Sequence, residues 1–325
     1  MSMRDINPKD VSVREIFTLL QGGVAPRPIA LVSTISAKGD VNLSPFSFFN
    51  AFGGNPPTVA FSPSRRQRDG SIKHTYSNLM ATKECVIQAV TYAMVQQVSL
   101  ASTEYAEGVD EFQKTGLTPV PSDLVKPPRV KESPFQMECT LKEMVHLGDG
   151  PGSGNLAICE VLRFHVAEDI FKDGVIHPDF IDLVGRNSAD FYTRASGDAI
   201  FYVKKPLERR GIGYDQLPEF IRTSTVLSAN NLGQLGNTER IPAEEEVTSF
   251  VADLTPIEGD EHALHRFEQR SNYHGMTRVC VYLLATGSPL ARHLLERSAK
   301  CALEHNDIEF AWKVLLLGHR TGHQT

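Results

Sequence analysis

Two long runs of alternating apolar and polar residues, FQMECTLKEMVHLG (residues 135–148) and NLAICEVLRFHVA (155–167), are separated only by DGPGSG. Period-two alternation sends successive side chains to opposite faces of a strand. A connection this short and glycine-rich brings the second run back beside the first, so the stretch reads as a long antiparallel hairpin. The glycines of residues 150–154 look like a nucleotide loop. They lie between two strands, however, and not between a strand and a helix, which excludes a dinucleotide-binding crossover there.

Shorter strand-like runs surround the hairpin. PIALVSTIS (28–36) is β-branched and is followed by Lys38-Gly39-Asp40, a hairpin turn candidate; TVAFSPS (58–64) and ECVIQAV (84–90) continue the pattern. Helical stretches are fewer here: KHTYSNLMATK and TYAMVQQVSLAS. Many strands with non-parallel connections predict a closed or nearly closed β-barrel with helices packed outside.

The pattern changes after about Arg222. TSTVLSANNLGQLGNTERIPA is polar and aperiodic and reads as a linker. Beyond it, PAEEEVTSFVADL opens with proline and acids, as a helix start should. DEHALHRFEQRS places Leu264 and Phe267 on one side. SPLARHLLERSAKCALEH offers Ser288 as N-cap and Pro289 as first helical residue, and DIEFAWKVLLL is a last amphipathic helix. The expected organisation is a barrel domain at residues 1–222 and a linker with an α-helical extension at 223–325. The extension is expected to form a bundle of about four helices that limits access to the barrel's site.

Composition narrows the functional classes. The net charge is −6 over 325 residues, so there is no electrostatic footprint for nucleic acid, and Arg65, Arg66, Arg68 and Lys73 form only a local basic cluster. The five cysteines are widely spaced with no C-x-x-C pair, which argues against a disulfide framework or a structural zinc. The first residues carry Asp and Glu and no apolar signal core, and VCVYLLA (279–285) is too short to cross a bilayer. A soluble, cytoplasmic protein is expected. His262 and His265, with Glu261 and Glu268, have ligand-type spacing, but charged helices produce such patterns often, and no metal site is assigned. Asp110 and Glu111 read as a solvated loop, and His146 as structural.

The chemistry gathers elsewhere. NLSPFSFFN (42–50) mixes phenylalanines with small hydrogen-bonding groups, as a flat heteroaromatic ligand with a polar rim requires. The next segment, FSPSRRQRDGSIKHTYSNL, offers an anion site from Ser62, Ser64, Arg65, Lys73 and Thr75. Thr75 is a candidate N-cap where exposed N–H groups and the helix dipole favour a phosphate. A flat polar-rimmed ring with one phosphate describes FMN.

The segment from about Ile16 to Arg222 resembles the flavin reductase-like, FMN-binding split-barrel family. The resemblance rests on PRPIALVST, GDVNLSPFSFFN, PPTVAFSPS, KHTYSNL, DEFQKTGLT, VKPPRVKESPFQMECTL and DLVGRNSADFY in that order. It implies a mainly β fold with α: an antiparallel Greek-key split barrel with peripheral helices, to which this chain adds its helical domain. It implies a homodimer with FMN near the subunit interface, and an oxidoreductase in which NADH or NADPH passes hydride to bound FMN. Carried over by position, Thr34, Asn42, Ser47 and Asn50 line the flavin ring. Ser62, Ser64, Arg65, Lys73 and Thr75 hold the phosphate, and Arg186 and Tyr192 lie near the pocket. No catalytic acid or base is assigned, since the chemistry belongs to the cofactor. Reduced flavin would serve a free flavin or other small electron acceptor, or a partner oxygenase. Two alternatives stay open: an FMN-binding scaffold or sensor with little turnover, and an FMN enzyme with a dedicated organic substrate. Two positions depart from the family pattern. His74 stands where a K-D-T motif has its acid, and Asn187-Ser188-Ala189 replaces a glycine-rich stretch.

Overall fold

The computed structural model describes residues 2–207 and 209–320. It divides into two compact units, Met1–Tyr202 and Val203–Thr325.

The first unit opens with helix α1 (Val13–Gly23). Its strands are β1 (Ala30–Ile35), β2 (Val41–Phe46), β3 (Phe49–Gly54), β4 (Pro57–Phe61), β5 (Glu84–Ala89), β6 (Pro119–Val120), β7 (Arg129–Val130), β8 (Phe135–His146), β9 (Asn155–Val166), β10 (Phe171–Lys172), β11 (Val175–Ile176), β12 (Val184–Arg186) and β13 (Tyr192–Arg194). Helices α2 (His74–Thr82), α3 (Val95–Leu100), α4 (Glu111–Thr115) and α5 (Pro178–Ile181) lie between them.

Seven strands form one sheet in the order β2-β1-β5-β8-β9-β4-β3, and every pairing is antiparallel. Strands β2 and β3 are the two edges of that sheet, yet only Ser47 and Phe48 join them. Two residues cannot span a flat seven-stranded sheet. The sheet therefore curls until its edges meet, and the stretch 42–50 is the seam of a split barrel. The β1–β2 hairpin turns at Gly39, whose φ of 98° suits a residue without Cβ.

The barrel interior is filled by Ala30, Val32, Phe46, Val59, Phe61, Cys85, Ile87, Met137, Cys139, Ala157 and Cys159. Leu31 of β1, and Ile29 just before it, face a second cluster with Leu43, Met94, Val98, Phe112 and Val130. Strand β1 is thus apolar on both faces because both are covered, which is why its sequence shows no alternation. The long hairpin 135–166 forms as its sequence predicts, with two register shifts along it.

The second unit is helical, with α6 (Glu219–Arg222), α7 (Ala229–Gly236), α8 (Glu244–Ala252), α9 (Glu261–Glu268), α10 (Tyr273–Ala285), α11 (Ala291–Glu304) and α12 (Ile308–Arg320). Leu264, Met276, Val279, Leu294, Leu295, Leu303, Trp312 and Val314 are among its buried core. Side-chain caps start α7 at Ser228, α9 at Asp260 and α10 at Asn272.

Several expectations are corrected here. The stretch read as a linker contains α7, and Leu227, Leu232 and Leu235 pack in the helical core, as do Leu217 and Ile221. The helical unit therefore begins at Val203, before the expected boundary at 222. The stretch from Pro242 onward, where about four helices are expected, holds five described helices, α8 to α12. Helix α11 begins at Ala291, not at Pro289, and no side chain caps it. Helix α1 was not anticipated, although Ser12 and Glu15 form a capping box. Glu111 is buried, not solvated, and its carboxylate accepts from Leu43 N at 3.0 Å. Asp110 caps α4. The expected antiparallel split barrel with peripheral helices and a C-terminal helical unit does form, and counted over both units the fold mixes α and β.

Candidate functional site

The phenylalanines of the seam divide their work. Phe46 is buried, packs on Phe61 with ring centroids 5.2 Å apart, and carries Lys73 Nζ 5.0 Å above its centroid. Phe48 packs against Phe17 of α1 at 5.9 Å and lies under the Arg27 guanidinium at 5.8 Å. Each ring thus backs a cation, with aromatic faces favouring positive charge.

Above the seam lies a cavity of about 410 Å³ lined by Phe17, Gln21, Pro45, Phe46, Ser47, Phe48, Ser62, Ser64, Arg65, Arg66, Gln67, Arg68, Lys73 and Glu104. The strand-end loop that carries its hydroxyls is held in place from outside. Ser62 N donates to Phe48 O at 2.9 Å, Arg65 N to Ser153 O at 2.9 Å, and Asn155 Nδ2 to Pro63 O at 3.2 Å. The Ser62 and Ser64 hydroxyls lie 2.9 Å apart. Arg65 donates through one terminal nitrogen to Gly70 O at 3.1 Å, while its buried Nε has no partner.

Lys73 precedes α2, whose N-terminus no side chain caps. Burial pushes the Lys73 ammonium below its ordinary pKa, Arg66 adds to that, and Glu104 opposes it. Among the described residues no carboxylate stands within ion-pair distance of Lys73, whereas Arg66 and Arg68 both pair with Glu104. The cavity is therefore lined by a partly buried cation, a guanidinium whose Nε has no partner, and two hydroxyls, beside the uncapped start of α2. That donor set suits an oxyanion.

Asn42 and Lys73 also line an adjoining cavity of about 250 Å³ with His74, Tyr105 and Glu111. Asn42 is 6% exposed, and its Nδ2 has no partner. Its Oδ1 accepts from Thr75 Oγ1 at 3.4 Å, and Thr34 Oγ1 accepts from Asn78 Nδ2 at 3.1 Å. Thr34 and Thr75 are buried in this polar chain between the sheet and α2; neither lines either of these two cavities. Thr75 is inside the helix, and Lys73 occupies the cap position assigned to it from sequence. Burial raises the pKa of Glu111, against the lowering effect of its backbone hydrogen bonds and of His74.

Asn50 lies on the far side of the seam. It is exposed and lines an apolar trough of about 710 Å³ with Phe49, Gln88, Phe135, Met137, Phe164 and Val184. Arg186 and Tyr192 belong to the β12–β13 hairpin, with the guanidinium 4.6 Å from the ring centroid. Structure thus gathers Ser47, Ser62, Ser64, Arg65 and Lys73 in one cavity and Asn42 beside them, and it sets Asn50, Arg186 and Tyr192 apart. Sequence reasoning missed Phe17, Gln21 and Arg27. The capping box at Ser12 could have revealed the helix carrying the first two; no local pattern signals Arg27.

Asp123, Glu138 and His165 also converge. The buried Glu138 carboxylate already accepts from the backbone N–H groups of Asp123, Leu124 and Val125 and lies 2.6 Å from His165 Nε2. It fastens the 123–125 loop to the hairpin. In the helical unit, a cavity of about 1000 Å³ is lined by charges that largely pair with one another, such as Arg209 with Glu239 and Arg240 with Glu246.

An antiparallel split barrel with a donor-rich cavity at its seam defines a class of flavin-handling domain. The chain belongs to the flavin reductase like family: the model of that domain matches residues 23–179. It is 35% identical over 189 residues to an uncharacterized protein of Halalkalibacterium halodurans, covering 58% of this chain and 90% of the relative. Nitrilotriacetate monooxygenase component B from Bacillus cereus superimposes with a TM-score of 0.59 at 29% identity, covering 62% of this chain and all of that one (100%). A protein of Shewanella frigidimarina described as a flavin reductase with a split barrel domain gives a TM-score of 0.52 at 27% identity, over 61% and 95% of the two chains. The family match ends before the helical unit begins. Among the described residues, no helix is long and apolar enough to cross a membrane.

Proposed function

We propose that the first unit binds FMN at the barrel seam and that the protein is an FMN-dependent oxidoreductase reduced by NADH or NADPH. The observation that carries this reading is a pair of buried, unpartnered donors, Asn42 Nδ2 and Arg65 Nε, beside a Lys73 ammonium with no carboxylate partner among the described residues. Burying such groups costs about 1–3 kcal/mol each unless a ligand completes them. A phosphate at the α2 N-terminus completes Arg65 and Lys73 and draws on the Ser62 and Ser64 hydroxyls. Pro45, Phe46 and Phe48 supply the apolar wall that a planar ring needs. Bound flavin supplies the hydride and electron chemistry. This chain's residues hold the phosphate, orient the ring and set the local charge.

The reading extends to a homodimer working in the reducing cytoplasm, where the five free thiols persist. Exposed Phe164, Phe180, Phe191 and Phe201 and the apolar trough support a dimer surface on the first unit. The electron acceptor is a small molecule or an oxygenase component; the likeness to a monooxygenase component B supports the second. Adding NADH or NADPH to the FMN-loaded protein without oxygen tests the activity. Bleaching of the flavin absorbance within seconds to minutes is expected, and an unbleached, FMN-saturated protein contradicts it. Light scattering at the monomer mass with FMN bound would remove the dimer from the account.

A further inference from the structure

Arg27 is 4% exposed and sits between the seam cavity and the apolar trough. Its Nε donates to Ser47 Oγ at 3.2 Å. One terminal nitrogen donates to the carbonyls of Gln21 and Val24, at 2.5 and 3.0 Å, and the other to Asn187 O at 3.0 Å. The backbone is locked as well. Arg27 N donates to Arg186 O at 2.9 Å and Arg186 N returns the bond to Arg27 O at 2.8 Å. Gly185 permits that approach, since a Cβ there would stand 2.7 Å from Pro26 Cβ.

Two consequences follow from donor chemistry alone. A guanidinium has no acceptor, so in the Arg27–Ser47 bond the serine oxygen must accept. The Ser47 O–H is then left to donate, and Ser47 lines the seam cavity. Every described partner of Arg27 is neutral, and a buried cation without a carboxylate is costly. The charged side chain that acts on it, Arg186, is also positive. The carbonyls at the end of α1 compensate in part, as a helix C-terminus does. They would do so equally well without a serine at the seam.

We propose that Arg27 is a positioning residue for the seam cavity. It turns the Ser47 hydroxyl into an outward hydrogen-bond donor and places positive charge behind it. The pair therefore favours a ligand group that accepts a hydrogen bond and grows more negative on reduction. This inference rests on the flavin reading of the site. It assigns to Arg27 and Ser47 the stabilisation of reduced over oxidised FMN.

The test measures FMN affinity in both redox states, by fluorescence and by anaerobic titration, for the full chain and for Ser47→Ala, Arg27→Gln and their combination. Each single variant should lower the preference for reduced FMN by about tenfold, which is about 30 mV for a two-electron couple. The double variant should fall no further than Arg27→Gln alone, because the part played by Ser47 depends on the arginine. Rescue by Arg27→Lys should be partial, since lysine keeps the charge and loses the planar fork. Equal weakening of both redox states in Ser47→Ala overturns the inference and leaves Arg27 as a cap on α1. Should Arg27→Gln fail to fold, Ser47→Ala alone decides, because it removes one hydroxyl from a partly buried position. A wild-type chain that binds no FMN sinks the flavin reading itself, and this inference with it.

Discussion

The two units treat buried polar groups in opposite ways. In the helical unit, Thr277 and Ser298 are fully buried, and their hydroxyls meet at 2.8 Å while each also reaches the Tyr273 carbonyl. Among the described residues, the buried side-chain atoms without partners are Asn42 Nδ2, Arg65 Nε and Gln88 Oε1, all in the barrel unit. Native proteins rarely leave such groups unpaired. A core that satisfies its polar atoms is built for stability. One that leaves donors unmet around a cavity is built to receive something.

The largest expected effects come from breaking either core separately. Leu264→Ala in the helical core should cost about 2–5 kcal/mol. The single tryptophan, Trp312, lies in that unit, so its fluorescence reports unfolding there. Its transition should move while FMN affinity at room temperature stays the same. Ile87→Ala, inside the barrel, should cost about as much and weaken FMN binding too. If the helical substitution abolishes FMN binding as the barrel one does, the contrast between the units fails.

A smaller effect is expected at Glu111. Its carboxylate holds Leu43 N on β2, next to Asn42. Glu111→Gln keeps an acceptor there and should change FMN affinity by less than about tenfold, whereas Glu111→Leu leaves the amide unmet and should cost about 1–3 kcal/mol of stability. Equal melting temperatures for the two variants would contradict this role.

The smallest effect should come from the surface of the helical unit. The Arg240 guanidinium pulls the Glu246 carboxyl down to about 2 from its ordinary 4.5. A depressed acid stabilises the fold above its unfolded pKa and loses that contribution as pH falls through the folded one. Glu246→Gln should therefore lower the helical transition slightly at neutral pH, with the difference from wild type shrinking between pH 4.5 and about 2. FMN affinity should not follow. A gap between the two proteins that widens in acid would reverse the assignment.

The sequence exposed the barrel well where local pattern and tertiary demand coincide. The hairpin 135–166 shows itself in alternation because one face supplies the barrel core and the other carries polar side chains, although two irregularities shift its register. The cation-rich cavity was legible because Ser62, Ser64, Arg65 and Lys73 lie close together in the chain. What failed depended on distant contacts. Leu217, Leu227 and Leu235 look isolated in a polar stretch, and only the remote helices α10–α12 give them a core. Glu111 looks solvated until β2 is placed over it. Arg27 bonds Asn187, 160 residues away in sequence, which no local window can contain.

The central claim is that the seam cavity is a phosphate-anchored flavin site, and comparison of FMN with riboflavin tests it most directly. Riboflavin has the same ring and no phosphate. The full chain should bind FMN more tightly by several kcal/mol at most, since charge-assisted bonds contribute about 1.5–3 kcal/mol each. In the Arg65→Ala, Lys73→Ala double variant that difference should collapse, with riboflavin affinity nearly unchanged. If the double variant discriminates between the two flavins as the wild type does, the phosphate lies elsewhere and the site assigned here is wrong.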